Sequence, residues 1–386
     1  MKTLLPVLAG LLLSICLSAQ STYFPERGAT WEPLPTEQMT GIDDDALKGA
    51  VAFAQENEYS GERDLRIAIL KGFAREPYHY LAGPVKERGG PAGMILKNGY
   101  LVAQWGDTKR VDMTFSVTKS YLSTIAGLAW EDTLLPDLNA PVEQMIWDGT
   151  FEGEHNAKIT WDHLLTQSSD WSGSLWGMKD WADRPPREGG IDDWKYRELH
   201  EPGTFYEYND VRVNVLAYSL LQLWRKPLPM VLKERIMDPI GASPTWRWFG
   251  YEHSFTTVDG VKMQSVSGGG HSGGGVFINT EDHARFGLLF MNQGRWQDEQ
   301  LLSPEWVSKV QQPSEANPSY GYMWWLNKAG TSRHWEGVPE DIYYAAGFGG
   351  NYIVVDEANQ LVIVTRWLQP SQMGSFVKKV RSAMGL

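Results

Sequence analysis

Cysteine is nearly absent from this sequence, because Cys16 is the only one among 386 residues and it lies in an apolar run near the N-terminus. A chain with one cysteine cannot form an internal disulfide, and its other residues offer no thiolate nucleophile or thiolate metal ligand. We therefore expect a hydrophobic core to stabilise the fold, which a content of 42% hydrophobic residues can supply.

Dense clusters of like charge are also missing. The formal net charge is −12 and no block of five or more like charges occurs, which indicates a solvated acidic surface that repels nucleic acid. No His-Glu-x-x-His motif is present, and we expect neither a metal nor a cofactor. The partner expected for such a chain is a small molecule, and its oligomeric state is left open.

One long apolar run is present, at residues 4–17, where it follows Lys2 and precedes small residues. This order is typical of a secretory signal peptide, and it predicts removal of residues 1–19 with cleavage near Ala19. The run is too short to span a membrane, so we expect a periplasmic or secreted protein without a membrane span. A lipid anchor on Cys16 is the alternative.

Strand patterns lie towards both ends of the chain, and helical patterns dominate between them. Helical spacing predicts helices at 43–57, 116–130, 141–147, 160–167, 211–224, 227–236, 282–293, 304–312 and 371–384. β-rich runs predict a hairpin over 94–105 with an Asn-Gly turn, and strands at 320–327, 343–346, 351–356 and 360–367.

This order predicts an α/β (α+β) fold in which one antiparallel sheet, from about 93–106 and 320–367, is flanked by helices. A mainly helical region, at about 116–312, is inserted between the two parts of the sheet. We expect residues 20–386 to form a single domain.

The motif Ser-x-x-Lys occurs twice, at Ser116 with Lys119 and at Ser375 with Lys378. A spacing of three residues places the lysine over the serine on one helix face. Ser116 begins a predicted helix, where unpaired N–H groups can stabilise an oxyanion, and a neutral, desolvated Lys119 can accept the serine proton. The motif arises often by chance, and its second copy lies in a plain amphipathic helix, so the first copy needs further support.

That support comes from a family resemblance. Ser116-Val-Thr-Lys-Ser-Tyr resembles the nucleophile motif of the class C β-lactamase and DD-peptidase family, which includes esterases and nylon-oligomer hydrolases. Four later segments resemble further motifs of that family in the same order, namely 158–170, 202–210, 273–282 and 347–351. The resemblance covers roughly residues 90–370, and it implies the penicillin-recognising serine hydrolase fold.

The resemblance also implies catalytic roles. Ser116 is the expected nucleophile that forms an acyl-enzyme, and Lys119 and Tyr208 are expected to transfer protons to and from the leaving group. The backbone N–H groups of Ser116 and Asn351 are expected to form the oxyanion hole.

Five residues are expected on the substrate side of the site. Gly349 and Gly350 allow a close approach of the backbone, and His271 lies in a glycine-rich loop that can line the site. Asp210 stands where the family usually has Asn, and it either pairs with the catalytic lysine and keeps it protonated or caps the following helix. Phe348 replaces a basic residue that helps hold a substrate carboxylate in lactamases, which favours a neutral substrate.

The sequence therefore predicts a secreted serine hydrolase that acts on an ester or amide bond of a small substrate. A true β-lactamase or DD-peptidase is one alternative. A non-catalytic homologue that keeps the groove as a binding module is another, from a different class.

Overall fold

The computed structural model describes residues 22–77 and 79–386. The expected signal peptide, residues 1–19, and Cys16 lie outside the described residues. Among the residues that the structure describes, no helix has the length and apolar character needed to cross a membrane.

Helices occupy both the ends and the middle of the described chain. In chain order they are α1 Asp44–Glu56, α2 Leu65–Gly72, α3 Thr118–Glu131, α4 Trp161–Leu165, α5 Ile191–Lys195, α6 Asp210–Trp224, α7 Leu228–Leu232, α8 Thr280–Met291, α9 Pro304–Val310 and α10 Met373–Ala383. Most coincide with predicted helices whose ends shift by a few residues. The helix predicted at 141–147 is wrong, since only the 3₁₀ turn Val142–Gln144 forms there, and neither α2 nor α5 was predicted.

The strands belong to two larger sheets and two small ribbons. They are β1 Ala92–Lys97, β2 Tyr100–Trp105, β3 Asp112–Met113, β4 Ser174–Leu175, β5 Met178–Lys179, β6 Arg247–Val258, β7 Val261–Val266, β8 Gly275–Ile278, β9 Arg295–Trp296, β10 Glu299–Gln300, β11 Trp325–Leu326, β12 Tyr343–Gly347, β13 Asn351–Asp356 and β14 Leu361–Arg366. The strand predicted over 320–327 is therefore limited to the two residues of β11.

The main sheet joins the two ends of the chain as predicted. Its strand order is β11-β12-β13-β14-β1-β2, and β1 pairs antiparallel with β14, with Lys97 opposite Leu361. Asn98 and Gly99, between β1 and β2, have φ values of 52° and 82°. A two-residue hairpin needs positive φ at both central positions, which is why the Asn-Gly signal predicted this turn correctly.

Three of the four strands of a second sheet lie inside the region predicted as mainly helical, and this corrects the prediction. Its order is β3-β8-β6-β7, and β6 and β7 are joined by a tight turn at Asp259 and Gly260 with φ values of 53° and 79°. Aromatic and β-branched residues on both sides of an Asp-Gly pair are a hairpin signal. The helical patterns on either side concealed this hairpin.

Helix α3 lies at the centre of the hydrophobic core. All residues from Thr118 to Ala129 are buried, so this helix has no solvent face. On the main sheet α8 packs against β13, β14 and β1, whereas α1 packs against α10 and β2. A smaller hydrophobic cluster joins Leu65 and Ile69 of α2 to Phe115 and Trp367, and it sets one wall of the site.

Candidate active site

Ser116 is the one residue from Asp112 to Ala129 that is not buried. It lies in the 3₁₀ turn Phe115–Val117, which leads directly into α3. Phe115, just before it, has a φ of 51°, a left-handed value that is uncommon for a bulky residue and marks a sharp change of chain direction. The fold thus exposes this serine alone, at the start of an otherwise buried helix.

A buried histidine supports the chain just before the nucleophile. His283 Nε2 lies 2.8 Å from Thr114 Oγ1, and its Nδ1 lies 2.9 Å from the Tyr121 hydroxyl oxygen. Burial lowers the pKa of His283 well below its usual value, so the ring is neutral near pH 7. Its contacts are those of a structural histidine.

Lys119 and Asp210 form a buried ion pair directly behind Ser116. Lys119 Nζ lies 3.0 Å from Ser116 Oγ and 2.6 Å from Asp210 Oδ1. Only 1% of Lys119 and 2% of Asp210 is exposed. Burial opposes both charges, but Asp210 keeps the pKa of Lys119 above its usual value and Lys119 keeps the pKa of Asp210 below its own. Both side chains are therefore ionised near pH 7.

The alternative that Asp210 caps its helix is wrong. Asn209 is the N-cap of α6, where its side-chain oxygen accepts a hydrogen bond from the Arg212 N–H at 3.1 Å. Asp210 is the first helical residue, and its carboxylate points towards the lysine. The neighbouring Asn takes the capping role that a lone Asp would otherwise fill.

The glycine-rich loop covers this ion pair. A Cβ placed on Gly269 would lie 1.7 Å from Asp210 Oδ1 and 2.3 Å from Lys119 Nζ. No residue with a side chain fits at such distances, so the backbone of the loop can close over the charges only at a glycine.

Tyr208 faces two cations. Lys119 Nζ lies 4.6 Å from the centre of the Tyr208 ring and Arg184 Cζ lies 5.1 Å from it. Trp325 of β11 stacks on the ring with centroids 5.8 Å apart. Half-buried Tyr208 is thus held beside the serine and lysine, and its hydroxyl donates to no other described residue through a hydrogen bond.

The turn between β12 and β13 approaches the nucleophile from the other side. A Cβ on Gly347 would lie 2.2 Å from the Thr114 carbonyl oxygen and 3.3 Å from the Ser116 nitrogen, so glycine permits this contact. Phe348, next in the turn, lines the cavity, whereas Asn351 is fully buried and donates through Nδ2 to the Phe348 carbonyl oxygen at 2.7 Å. The structure does not bring Asn351 into the cavity.

The two glycines of the turn serve its packing. Gly349 and Gly350 have φ values of 76° and 82°. A Cβ on Gly350 would lie 1.5 Å from the Leu368 carbonyl oxygen, and one on Gly349 would lie 2.6 Å from the Trp367 ring. Gly349 lines the cavity, and Gly350 stays buried beneath the turn.

These groups meet in an open cavity of about 320 Å³. Ser116 and Tyr208 lie on its floor, and aromatic side chains form one wall. The Phe348 ring packs against Phe115 with centroids 5.0 Å apart, against Tyr59 at 5.5 Å and against Phe73 at 6.1 Å. The wall nearest the serine is therefore apolar.

Comparisons with known proteins agree with this geometry. The model of the Beta-lactamase family matches residues 87–369, which include the serine, the lysine, the tyrosine and the turn. The chain belongs to the Beta-lactamase family.

Solved structures share the fold of this Beta-lactamase family member. A family VIII carboxylesterase is similar with a TM-score of 0.58 at 15% identity, over 92% of this chain and 99% of that one. A β-lactamase/D-alanine carboxypeptidase from Pseudomonas syringae is similar with a TM-score of 0.54 at 14% identity, over 82% and 99%. At such identities the likeness shows the fold, and the penicillin-recognising architecture expected from the motifs is confirmed.

A curated relative matches part of the sequence. It is a protein of Escherichia coli (strain K12) named "Putative D-alanyl-D-alanine carboxypeptidase", 26% identical over 196 residues. The match spans 43% of this chain and 45% of the relative. The chain thus spans less than half the length of this relative.

Arg184 is the residue of this Beta-lactamase family site that the sequence did not reveal. Its Nη1 lies 2.7 Å from Asp210 Oδ2 and 2.6 Å from Asp183 Oδ1. Asp210 is thereby shared between Arg184 and Lys119. Arg184 comes from the loop after Asp180–Ala182, a segment without a motif, so only folding brings it to the site.

His271 lines the cavity, and its contacts indicate which ring nitrogen accepts and which donates. Arg184 Nη2 lies 2.9 Å from His271 Nδ1, and a guanidinium can only donate, so Nδ1 accepts. Nε2 then carries the proton and donates to Glu76 Oε2 at 2.6 Å. His271 thus links Arg184 to the loop after α2.

Glu76, Asp183 and His271 are the group in the described chain that comes closest to a metal site, since their ligand atoms lie within 4.8 Å of one another. Arg184 already donates to two of them, and His271 donates to the third. A cation there would have to displace the Arg184 guanidinium and the hydrogen bond from His271 to Glu76. Hydrogen bonds and ion pairs among these three side chains and Arg184 therefore account for their close approach.

Proposed function

We propose that this chain is a secreted serine hydrolase that cleaves an ester or amide bond of a small substrate through an acyl-enzyme on Ser116. Residues 20–386 would form the catalytic domain after removal of residues 1–19. The observation that carries the proposal is the half-buried Ser116, which lines a cavity with its Oγ 3.0 Å from the buried Lys119 Nζ.

Proton transfer follows from the charges of the site. A protonated Lys119 can only donate, so Ser116 Oγ accepts from Nζ and its own proton is free to move to a base. Tyr208 is the base that we propose, because it lines the same cavity as Ser116 and its ring contacts Lys119 and Arg184. Attack by Ser116 Oγ forms the bond to the carbonyl carbon, the bond from that carbon to the leaving oxygen or nitrogen breaks, and the serine proton passes through Tyr208 to the leaving group. Water then attacks the acyl-enzyme, which releases the acid and returns a proton to Ser116 Oγ.

We further propose that the backbone N–H groups of Ser116 and Phe348 form the oxyanion hole. Phe348 lines the cavity, and its N–H makes no hydrogen bond with another part of the described chain. Gly347, the residue before Phe348, lies close enough that a Cβ on it would be 3.3 Å from the Ser116 nitrogen, which supports this pairing of N–H groups. Phe348 thus takes the role that the sequence suggested for Asn351.

Beside the scissile bond the substrate is proposed to be uncharged. The aromatic wall around Phe348 offers apolar contact and no ion pair to a carboxylate there. A carboxylesterase and a D-alanine carboxypeptidase share the fold, so both esters and amides belong in the test. A true β-lactamase or DD-peptidase is the alternative.

The test is a substrate panel with covalent labelling. The purified protein should hydrolyse short nitrophenyl esters faster than linear amides and nitrocefin, and a fluorophosphonate probe should label Ser116. Peptide mapping locates the label. Faster turnover of nitrocefin would favour the β-lactamase, and absence of both label and turnover would favour a non-catalytic binding homologue.

A further inference from the structure

A second cavity, of about 600 Å³, adjoins the catalytic one. The two cavities share three lining residues, Arg333, Tyr352 and Pro370. A groove therefore leads from Ser116 past these residues into the second cavity. None of the roles assigned above uses this second space.

Aromatic packing gives the second cavity a defined wall. Trp335 stacks on Tyr344 with centroids 4.1 Å apart, and Tyr352 packs against both rings. The Tyr344 hydroxyl donates to the Arg333 carbonyl oxygen at 3.0 Å, and Asn327 Oδ1 accepts from the Trp335 N–H at 2.6 Å. These contacts tie the loop between β11 and β12 to the sheet.

The charged groups of this cavity are mostly positive. Arg333 and Lys378 line it together with one acid, Glu336. In a chain of net charge −12, neither Arg333 nor Lys378 forms an ion pair with another described residue. Arg333 Cζ lies 4.2 Å from the centre of the Trp325 ring, which holds the guanidinium plane at the junction of the two cavities.

The position of Arg333 relative to the catalytic residues indicates which part of a substrate can contact it. Lys119 contacts the Tyr208 ring, Tyr208 stacks on Trp325, and Trp325 carries Arg333. Two aromatic rings thus separate the catalytic lysine from this guanidinium. Arg333 lines both cavities, so an anion at the end of a flexible substrate chain can contact it from the second cavity.

We propose that the second cavity is a subsite for a carboxylate at the far end of an elongated ester or amide substrate. Arg333 binds the carboxylate through its planar fork of N–H donors, and Lys378 adds positive charge deeper in the cavity. The subsite rests on the proposed hydrolase function and narrows its substrate class. Substrates are neutral near the cleaved bond and anionic at a distance.

The test uses nitrophenyl half-esters of long-chain dicarboxylic acids and their neutral methyl-capped counterparts. A second pair carries the carboxylate on the alcohol part. In one of the two pairs the anionic ester should have a kcat/KM roughly tenfold higher, as for one partly exposed charge-assisted contact. The preference should fall in high salt.

Variants of the lining residues test whether the preference for the anionic ester arises in the second cavity. Arg333→Gln should abolish the preference, Lys378→Gln should reduce it, and Arg333→Glu should favour a cationic ester. Lys328→Gln and Lys379→Gln are matched controls on the same loop and helix, since neither side chain lines the cavity, and both should keep the wild-type ratio. A wild-type ratio near one in both pairs, or a ratio that Arg333→Gln leaves unchanged, overturns the subsite.

A binding measurement separates the subsite from the chemistry. Calorimetry with a long-chain dicarboxylate and the Ser116→Ala protein should show binding that Arg333→Gln weakens. If this holds although no ester is cleaved, the subsite stands and the hydrolase proposal fails. If esters are cleaved but the dicarboxylate does not bind, the subsite fails and the hydrolase proposal stands.

Discussion

The two Ser-x-x-Lys copies of this chain share their spacing, and their surroundings differ. Lys119 is buried, and its Nζ contacts both Ser116 and Asp210. Lys378 is exposed on α10, where it reaches the backbone at Gly337 and forms no hydrogen bond to Ser375 among the described residues. The shared spacing permits a serine–lysine contact, but a buried acid is what holds the lysine in place.

Position in a helix does not separate the two copies. Ser375 lies in the first turn of α10, just after the 3₁₀ turn Pro370–Gln372, and Ser116 lies in a 3₁₀ turn just before α3. Both serines therefore lie close to a helix N-terminus. Both serines line a cavity, but the backbone of Gly347 lies close to the Ser116 nitrogen, and Lys119 lies behind Ser116 in a buried ion pair.

The largest expected difference between the copies is in catalysis. Ser116→Ala should lower kcat by about 10⁴-fold or more, because loss of a nucleophile leaves only binding and the oxyanion hole. Ester hydrolysis and fluorophosphonate labelling measure it. Ser375→Ala is the matched control, and this variant should still be labelled at Ser116. Loss of the label in Ser375→Ala, with labelling retained in Ser116→Ala, would identify Ser375 as the nucleophile.

Tyr208 lies beside Lys119 of the first Ser-x-x-Lys copy, and its hydroxyl is the proposed proton-transfer group there. Tyr208→Phe keeps the ring on Trp325 but removes the hydroxyl, so kcat should fall by roughly 10²-fold while KM changes little. Steady-state kinetics on a short ester provide the measurement. The same substitution at Tyr206, whose hydroxyl is buried, controls for loss of a phenol. Unchanged kcat in Tyr208→Phe would assign the proton to another group.

Asp210 makes the environment of Lys119 unlike that of Lys378. Asp210→Asn removes the charge that keeps the Lys119 pKa high, while burial continues to lower it. If Lys119 acts in its protonated form, the alkaline fall in kcat/KM should begin at a lower pH in the variant. A gain of activity at neutral pH would instead show that neutral Lys119 is the base.

The same substitution has a consequence for stability. The raised pKa of Lys119 contributes stability that is present below the ordinary lysine pKa and lost as pH rises through the raised value. The lowered pKa of Asp210 contributes stability that is lost as pH falls through the lowered value. Asp210→Asn should reduce the free energy of unfolding by about 3 kcal/mol near neutral pH. Asp259→Asn, in an exposed pair with Arg225, should change it little.

The smallest expected effect concerns Phe348. Its ring makes the cavity wall near Ser116 apolar, whereas Lys378 makes the second cavity cationic. Phe348→Lys should narrow the preference for neutral esters over nitrocefin by about 1 to 3 kcal/mol at best, since one partly exposed charge is screened. The ratio of kcat/KM values measures this, with Phe348→Leu as the uncharged control. A wild-type ratio that already favours nitrocefin would contradict the neutral-substrate proposal.

Local patterns predicted the elements whose stability is mostly local. Asn98-Gly99 predicted its hairpin because both residues tolerate positive φ, and Ser-x-x-Lys predicted the contact of Ser116 with Lys119 because one helical turn fixes it. The hairpin around Asp259-Gly260 carried a similar signal, but it was missed among helical patterns.

The sequence by itself determined the family, the main sheet that joins the chain ends and the serine–lysine contact, because each depends on residues close together or on ordered motifs. Only the tertiary structure decided that Asp210 pairs with Lys119, that Arg184 shares that carboxylate, and that Phe348 rather than Asn351 lines the cavity. Those contacts join segments far apart in the chain, and a buried charge selects its partner by distance in the fold.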